Sequence, residues 1–275
     1  MPGPKTIRAL ERGLQVLDAL QSNPIASLHD LFGATRIPKP TLLRILRTLE
    51  RGGLVSRRLV DGHYRLCGLG RPALRRDRFD PVAEAAAPVL DRLCKEVLWP
   101  SDLLVPAGNH MERRETSRSH SPFPIHPAHE MNRVGQPVGW LLSGVGRAYL
   151  AYCPEKEREH LLRRLRKSGK ADDQLAHEPK RLEKILAETR RKGYGTRDAG
   201  FVGGFYGALP QDDGLAAIAV PLSGRTRLHG AINILWIKTA FSEEEFAARH
   251  LGALQAAAQD IVAALQGNAG QRSAR

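Results

Sequence analysis

The sequence predicts an α+β protein of two domains, and three observations support this prediction. Its 275 residues exceed the usual size of a single domain. Residues 1–78 carry a formal charge of +9, whereas the remainder of the chain carries +4. Strands and helices after residue 98 do not strictly alternate, which favours a mixed fold with a largely antiparallel sheet. We expect a basic domain at residues 1–78, a linker helix at 79–98 and a larger domain at 99–275.

Three short helices are predicted for the basic domain. In residues 8–21, leucines recur at spacings of three and four and predict one inward face. Ser27 is the predicted N-cap of a second helix, and residues 33–38 supply a turn. Pro40 suits the first position of a third helix, which two glycines end. The predicted inward residues of the first helix are Leu10, Leu14, Leu17 and Leu20.

The third helix combines an apolar side with a basic side. At about 100° per residue, its leucines and isoleucine share one side, and its arginines lie on the other. A major-groove recognition helix needs this division, because one side packs on the domain while the other faces the bases. The predicted DNA contacts of this helix are Lys39, Thr41, Arg44, Arg47, Thr48 and Arg51.

A hairpin is predicted to follow the third helix. Two β-rich runs, residues 54–60 and 63–67, flank an Asp61–Gly62 pair that favours a tight turn. A hairpin in this place is the wing of a winged helix-turn-helix, and its basic side chains would contact phosphate or the minor groove. The alternative is an ordinary basic lobe whose arginines are solvated. The predicted wing contacts are Arg57, Arg58, Tyr64 and Arg65.

The remainder of the chain begins with a helix at residues 82–97, whose apolar stripe, Val89, Leu93 and Val97, suits pairing with a second copy. The sequence Gly144-Val145-Gly146 precedes another helix, where free backbone N–H groups can bind a small carboxylate. The strands predicted here are residues 102–105, 215–222 and 229–237, and the further helices lie near 146–152, 154–167, 179–192 and 242–265.

Together these features resemble the IclR family of bacterial transcription regulators. The resemblance covers nearly the whole chain and implies a winged helix-turn-helix joined to a GAF-like domain for effector binding and oligomerisation. Pro40 departs from the family, which usually has a small residue such as serine there. The matching segments are residues 8–17, 37–39, 43–49, 53–55 and 62–66, with softer matches at 142–148, 191–194 and 215–221.

The resemblance also implies an effector pocket. Ala217 and Asn233 stand where a well-known family member has cysteine and serine, so a different ligand is expected. Arg133 can pair with a carboxylate through two hydrogen bonds, although a solvated surface role is an equal alternative. Residues 193–198 and 212–215 resemble members that control the breakdown of aromatic acids, so an aromatic carboxylate is expected. The predicted effector-binding residues are Met131, Arg133, Gly144, Val145, Asp198, Ala217 and Asn233.

Three other functions compete with this interpretation. A nucleic-acid-binding protein without an effector would have little use for the large, weakly charged second domain. An enzyme is disfavoured because the chain has no G-x-S-x-G motif and its cysteines lack a catalytic signature. A metal sensor would use the histidines between His110 and His129, in a segment predicted as an exposed loop, but their spacing follows no established metal pattern.

The expected partners follow from charge and composition. Cys67, Cys94 and Cys153 are too few and too widely spaced for a disulfide framework, which favours a reducing cytoplasm. No apolar run reaches the roughly 18 residues that a membrane span needs, so no membrane partner is expected. We expect double-stranded operator DNA, a small effector, a homodimer or homotetramer, and no cofactor.

Overall fold

A computed structural model describes residues 7–52, 54–66, 80–123, 134–198, 201, 206 and 213–273, with side chains described as far as residue 267. The chain forms two compact units, Met1–Glu84 and Ala85–Arg275. In the described part of the chain, no helix is long and apolar enough to cross a membrane.

The first unit contains three helices and an antiparallel hairpin, as the sequence predicts. Its hydrophobic core joins all three helices to the hairpin, with Leu20, Leu42, Leu46 and Val55 among its buried members. The elements are α1 Arg8–Ser22, α2 Leu28–Thr35, α3 Lys39–Arg51, β1 Val55–Arg57 and β2 Tyr64–Leu66.

Helix α1 buries only part of the predicted face: Leu20 is fully buried and Leu17 packs against the core, as predicted. Gly13, Val16 and Leu20 are buried, whereas the Leu10 and Leu14 side chains are 60% and 52% exposed. The prediction that Leu10 and Leu14 point inward is therefore wrong. Two apolar stripes overlap on this helix, and leucine spacing alone does not show which of them packs on the core.

Helix α2 begins with the predicted cap and ends later than predicted. The Ser27 hydroxyl accepts a hydrogen bond from the Asp30 backbone N–H at 3.1 Å, and the Asp30 carboxylate accepts one from the Ser27 N–H at 2.9 Å. This reciprocal pair satisfies two donors that a helix start leaves free. The helix continues through Gly33, and Arg36, with a φ of 57°, makes the turn instead.

The second unit contains a six-stranded sheet in the order β5-β4-β3-β8-β7-β6. Each strand pair in the described residues is antiparallel, which confirms the predicted sheet type. Strands β4, β5 and β6 were not predicted. The strands are β3 Ser101–Ala107, β4 His110–Thr116, β5 Pro137–Val138, β6 Gly195–Thr196, β7 Leu215–Ser223 and β8 Leu228–Ile237.

Helices cover both faces of this sheet. On one face, Ala219 and Ala231 belong to the same buried cluster as Val145. On the other face, Trp236 stacks on Phe246 with ring centroids 3.9 Å apart. The helices are α4 Pro81–Val97, α5 Gly144–Tyr152, α6 Glu155–Arg166, α7 Pro179–Lys192 and α8 Glu243–Ser273, with 3-10 turns at Arg118–His120 and Ala171–His177.

Helix α4 corresponds to the predicted linker helix, and most of it belongs to the second unit. Its stripe of Val89, Leu93 and Val97 is buried by the chain itself. The prediction that this stripe pairs with a second copy is therefore wrong, because its apolar surface is already covered.

Candidate functional site

The outward side of α3 is a basic surface. The apolar residues Leu42 and Leu46 are fully buried on the inward side. The exposed basic residues of the outward side are Lys39, Arg44, Arg47 and Arg51. Of the two predicted threonines, Thr48 is exposed and its hydroxyl donates to the Arg44 carbonyl at 2.9 Å, while Thr41 is half-buried. The structure thus brings the predicted residues of α3 together on a side that can face phosphates and bases.

The predicted DNA-contact residues of the hairpin differ in their exposure and in their hydrogen-bond partners. Arg57 is exposed, and its Nε donates to the Gly62 carbonyl at 3.1 Å. Arg65 is half-buried, and its Nε donates to the Ser56 hydroxyl at 3.1 Å. The Arg58 side chain is only 11% exposed and pairs with Asp61 at 3.0 Å, so phosphate would have to compete with a carboxylate for it.

Tyr64 does not belong to the candidate DNA surface. Its side chain is 6% exposed and packs in the core of the first unit, where its backbone pairs with Ala26. The prediction of Tyr64 as a DNA contact is therefore wrong. Alternation along the short strand β2 places this ring inward and its neighbour Arg65 outward.

The second unit contains a cavity of about 50 Å³, partly open to solvent, between its sheet and the start of α5. The cavity is lined by four of the predicted effector-binding residues: Gly144, Val145, Ala217 and Asn233. Asp198 is not part of the lining, because it pairs with the buried guanidinium of Arg147. Two further predicted residues, Met131 and Arg133, lie outside the described residues.

The first turn of α5 forms one wall of the cavity. Ser143 caps the helix, since its hydroxyl accepts a hydrogen bond from the Gly146 N–H at 3.1 Å and donates one to the Gly139 carbonyl at 2.6 Å. A Cβ on Gly146 would lie 2.1 Å from the Trp140 carbonyl oxygen, so only glycine fits there. The backbone N–H groups of Gly144 and Val145 precede the helical hydrogen-bond ladder and lie at the positive end of the helix dipole.

A buried ion-pair network forms the opposite wall. Asp102 accepts hydrogen bonds from Arg118 Nε and Nη2 at 3.1 and 2.8 Å, and its carboxylate lies 3.3 Å from Arg113 Nε. A second pair joins Arg197 to Asp213 at 2.7 and 2.9 Å. All five side chains line the cavity.

Within this network the pKa values of Asp102 and Arg113 are shifted. Burial alone would raise the pKa of Asp102, but the guanidinium groups of Arg113 and Arg118 outweigh burial and hold it well below its usual range. Burial lowers the pKa of Arg113 to about 10, although Asp102 opposes this shift. Both groups are consequently charged at neutral pH.

Asn233 connects the network to the sheet. It pairs with Asp102 across β3 and β8, and its Oδ1 accepts a hydrogen bond from the Asp102 backbone N–H at 2.8 Å. Because the carbonyl end of this amide is occupied, its Nδ2 group remains as a donor for the cavity.

The sequence did not indicate this network. Arg113 and Arg118 lie in a segment that was predicted as loop, and Asp213 was considered only as part of a motif. The available signal was an aspartate on β3, an arginine on β4 and a second arginine just beyond β4, but strand β4 had to be recognised first.

The first residues of the histidine segment form a strand and not the exposed loop that was predicted. His110 begins strand β4, and His120 pairs with Asp91 at 2.8 Å. His126 and His129 lie outside the described residues. Among the residues that the structure describes, no group of three or more His, Cys, Asp or Glu side chains could hold a metal ion.

Comparison with known proteins gives two family matches. Residues 9–59 match the IclR helix-turn-helix domain, and residues 79–263 match the bacterial transcriptional regulator IclR C-terminal domain. Among individual relatives, the probable HTH-type transcriptional regulator ArcR of Halobacterium salinarum is 23% identical over 256 residues, 89% of this chain and 88% of ArcR. The transcriptional repressor IclR of Escherichia coli is 25% identical over 209 residues, 72% of this chain and 71% of that protein.

Solved structures share the fold. The IclR of Thermotoga maritima matches with a TM-score of 0.52 and 19% identity, over 94% of this chain and 99% of that chain. An IclR family transcriptional regulator from Brucella abortus matches with a TM-score of 0.52 and 20% identity, over 94% of this chain and 93% of that chain.

We predict that Asp102→Asn lowers the free energy of unfolding by about 3 to 5 kcal/mol at pH 7, because it leaves two buried guanidinium groups without their carboxylate. A carboxyl group whose pKa is lower in the folded protein than in the unfolded chain stabilises the fold at pH values above its unfolded pKa, which is about 3.9 for aspartate. This contribution is lost as the pH falls below that value. Urea denaturation at several pH values should therefore show a difference from wild type that is constant above about pH 5 and narrows in acid. Asp260→Asn, which alters an exposed pair with Arg92, is the matched control. Equal stability of the two variants at pH 7 would contradict the prediction.

Proposed function

The chain belongs to the IclR family of bacterial transcriptional regulators, and we propose on this basis that it is a ligand-responsive regulator of the catabolism of a small carboxylic acid. DNA binding and transcription regulation are the functions of this family. The proposal adds that the first unit binds its operator through α3, and that the second unit binds the acid in its cavity.

The basic side of α3 supports the assignment of the DNA surface. Arg44 and Arg47 lie in the middle of the helix, and Lys39 lies at its start. We assign Arg44 and Arg47 to the bases, since arginine can donate two hydrogen bonds to a guanine edge, and we assign Lys39, Arg57 and Arg58 to phosphates. Arg58 would exchange Asp61 for phosphate on binding.

The composition of the cavity supports a carboxylate effector. A helix N-terminus with unsatisfied N–H groups forms one wall, and guanidinium groups form the other. Phe201 also lines the cavity, which suits an aromatic ring on the ligand. An aromatic acid is accordingly the first class of effector to test.

A second copy of the chain is also part of the proposal, as a homodimer or homotetramer. Ile7, which precedes α1, forms an exposed apolar stripe with Leu10 and Leu14 on that helix, and the other exposed leucine on a described helix of the first unit, Leu43, lies on α3. Pairing two first units through this stripe would present two recognition helices to a palindromic operator.

Signalling requires that the effector bind two arrangements of the protein with unequal affinity. Since α4 begins at the end of the first unit and continues into the second, we propose that occupation of the cavity changes the spacing of the two recognition helices in the dimer. The acid is released unchanged in this scheme. A DNA-binding protein without an effector is the second candidate, and it predicts no ligand response at all.

We predict that Arg44→Ala weakens binding to the operator by about 1 to 3 kcal/mol and relaxes its sequence preference, because a base contact is lost. Binding is measured by fluorescence anisotropy on operator and scrambled duplexes. Arg163→Ala, which removes the same charge from an exposed site on α6, is the control and should leave both affinities nearly unchanged. Full operator affinity of the Arg44→Ala protein would contradict the assignment.

We predict that an effector acid changes operator affinity by about 5- to 150-fold and is recovered unchanged. A thermal-shift screen of aromatic and aliphatic carboxylates identifies the acid, because a ligand of the native state raises the melting temperature. Ala217→Leu places a larger side chain in the cavity and should abolish the response while operator affinity without ligand is retained. Ala240→Leu, at an exposed turn, should respond as wild type does. Turnover of the acid, or a normal response of Ala217→Leu, would argue against the proposal.

We predict that the double variant Leu10→Glu, Leu14→Glu converts the protein to a smaller assembly in light scattering and weakens operator binding at least tenfold. Both side chains are exposed in the single chain, so its fold should persist, and circular dichroism can verify this. Glu substitutions at Ala9 and Gln15, also exposed on α1, add the same two charges and are the control. An unchanged molecular mass would show that the stripe does not hold copies together.

A further inference from the structure

We propose that Leu43 of α3 reads thymine in the operator, through contact between its side chain and the C5-methyl group that thymine displays in the major groove. The inference rests on the proposed function, in which α3 is the recognition helix, and it adds an apolar base contact to the arginine contacts. It starts from an observation that the arginines do not explain. The side chain of Leu43 is 47% exposed on the basic surface of this helix.

The position of Leu43 on α3 suits a base contact. It is the fifth residue of the helix, between the fully buried Leu42 and the exposed Arg44. Residues three and four apart are neighbours on a helix surface, so Pro40 lies on one side of Leu43 and Arg47 on the other. In a helix-turn-helix, the residues of the N-terminal half of the recognition helix contact the base edges. Leu43 is therefore placed to face a base pair.

Pro40 and Leu43 together form an apolar patch on this surface. Both residues are exposed. Neither side chain carries a hydrogen-bond donor or acceptor, and Pro40 also lacks a backbone N–H. A base edge that lies against the patch can thus gain only apolar contact from it.

The charges around the patch indicate that its partner is DNA. Lys39, Arg44 and Arg47 are exposed and border the patch. The acidic residue on the same side of α3, Glu50, follows Leu43 by seven residues, or about 10 Å along the helix axis. An apolar protein surface that covered the patch would remove these cations from water without pairing them, whereas the phosphates of DNA would pair with them.

The chemistry of the base edges then selects thymine. Thymine is the base that displays a methyl group in the major groove, and adenine, guanine and cytosine display polar atoms there. A polar edge that packed against Leu43 would lose its water without gaining a hydrogen bond. The thymine methyl loses no hydrogen bond, and burial of one such group corresponds to about a fourfold gain in affinity. Leucine at this position therefore favours thymine and disfavours the other three bases.

The experiment removes the methyl group from the DNA and the leucine from the protein, separately and together. The full-length protein first selects its operator from a pool of randomised duplexes. Each thymine of the selected duplex is then replaced singly by deoxyuridine, which lacks only the C5-methyl group. Fluorescence anisotropy measures the affinities. At one thymine in each half-site, we expect uracil to lower the affinity of the wild-type protein about threefold to fivefold.

Three variants assign this effect to the leucine. Leu43→Ala should bind the thymine duplex more weakly than wild type and should bind the thymine and uracil duplexes equally, because the side chain that contacts the methyl group is gone. Leu43→Gln should select adenine at this position in a repeated selection, since glutamine can form two hydrogen bonds to adenine. Leu98→Ala makes the same change at a leucine that is 49% exposed in the second unit, and it should retain the full effect of uracil. Circular dichroism verifies the fold of each variant.

Three outcomes would overturn the role of Leu43: uracil has no effect at any selected thymine, Leu43→Ala retains the wild-type difference between thymine and uracil, or Leu43→Ala changes the molecular mass in light scattering. The last result would make this leucine a contact between copies of the chain. Failure of the proposed function has a different signature. A protein that selects an operator through Arg44 and binds thymine and uracil duplexes equally would reject the role of Leu43 and retain the regulator. A protein that enriches no duplex from the pool would reject the DNA surface itself.

Discussion

The buried carboxylate of Asp102 is the interaction on which the second unit most depends. Its backbone is tied to β8 through Asn233, and its side chain binds Arg113 and Thr116 of β4 and Arg118 just beyond that strand. One residue therefore links three strands of the sheet and also fixes the guanidinium groups at the cavity wall. Removal of a carboxylate from such a network leaves buried cations, which is why its contribution exceeds that of an exposed pair.

The opposite wall of the cavity depends on backbone geometry rather than charge. Helix α5 can begin at Gly144 only because two glycines allow close contacts: a Cβ on Gly146 would meet Trp140, and one on Gly195 would lie 2.4 Å from the Gly144 carbonyl oxygen. These contacts seat the start of α5 against β6. The positive end of the helix and the guanidinium groups thus border the same small space, so geometry and charge favour the same kind of ligand.

The sequence predicted local structure well and long-range structure poorly. The cap at Ser27, the basic side of α3 and the glycines at the start of α5 depend on neighbours within a few residues, and each was found as expected. Which face of α1 is buried depends on contacts with α2 and α3, so Leu10 and Leu14 were misplaced. The link between Asp102 and Arg118 requires a strand pairing that no local pattern encodes.

The two units use arginine in physically different ways. On α3 the guanidinium groups are exposed and hydrated, so each of them attracts DNA only weakly. Salt screens this attraction over about 8 Å at physiological ionic strength. Around the cavity the guanidinium groups are buried and paired, so their interactions are little affected by salt. Affinity for the operator should thus fall steeply with ionic strength while affinity for the acid changes little. A protein with an exposed DNA surface and a buried ligand site can bind its ligand at salt concentrations that already lower its affinity for DNA.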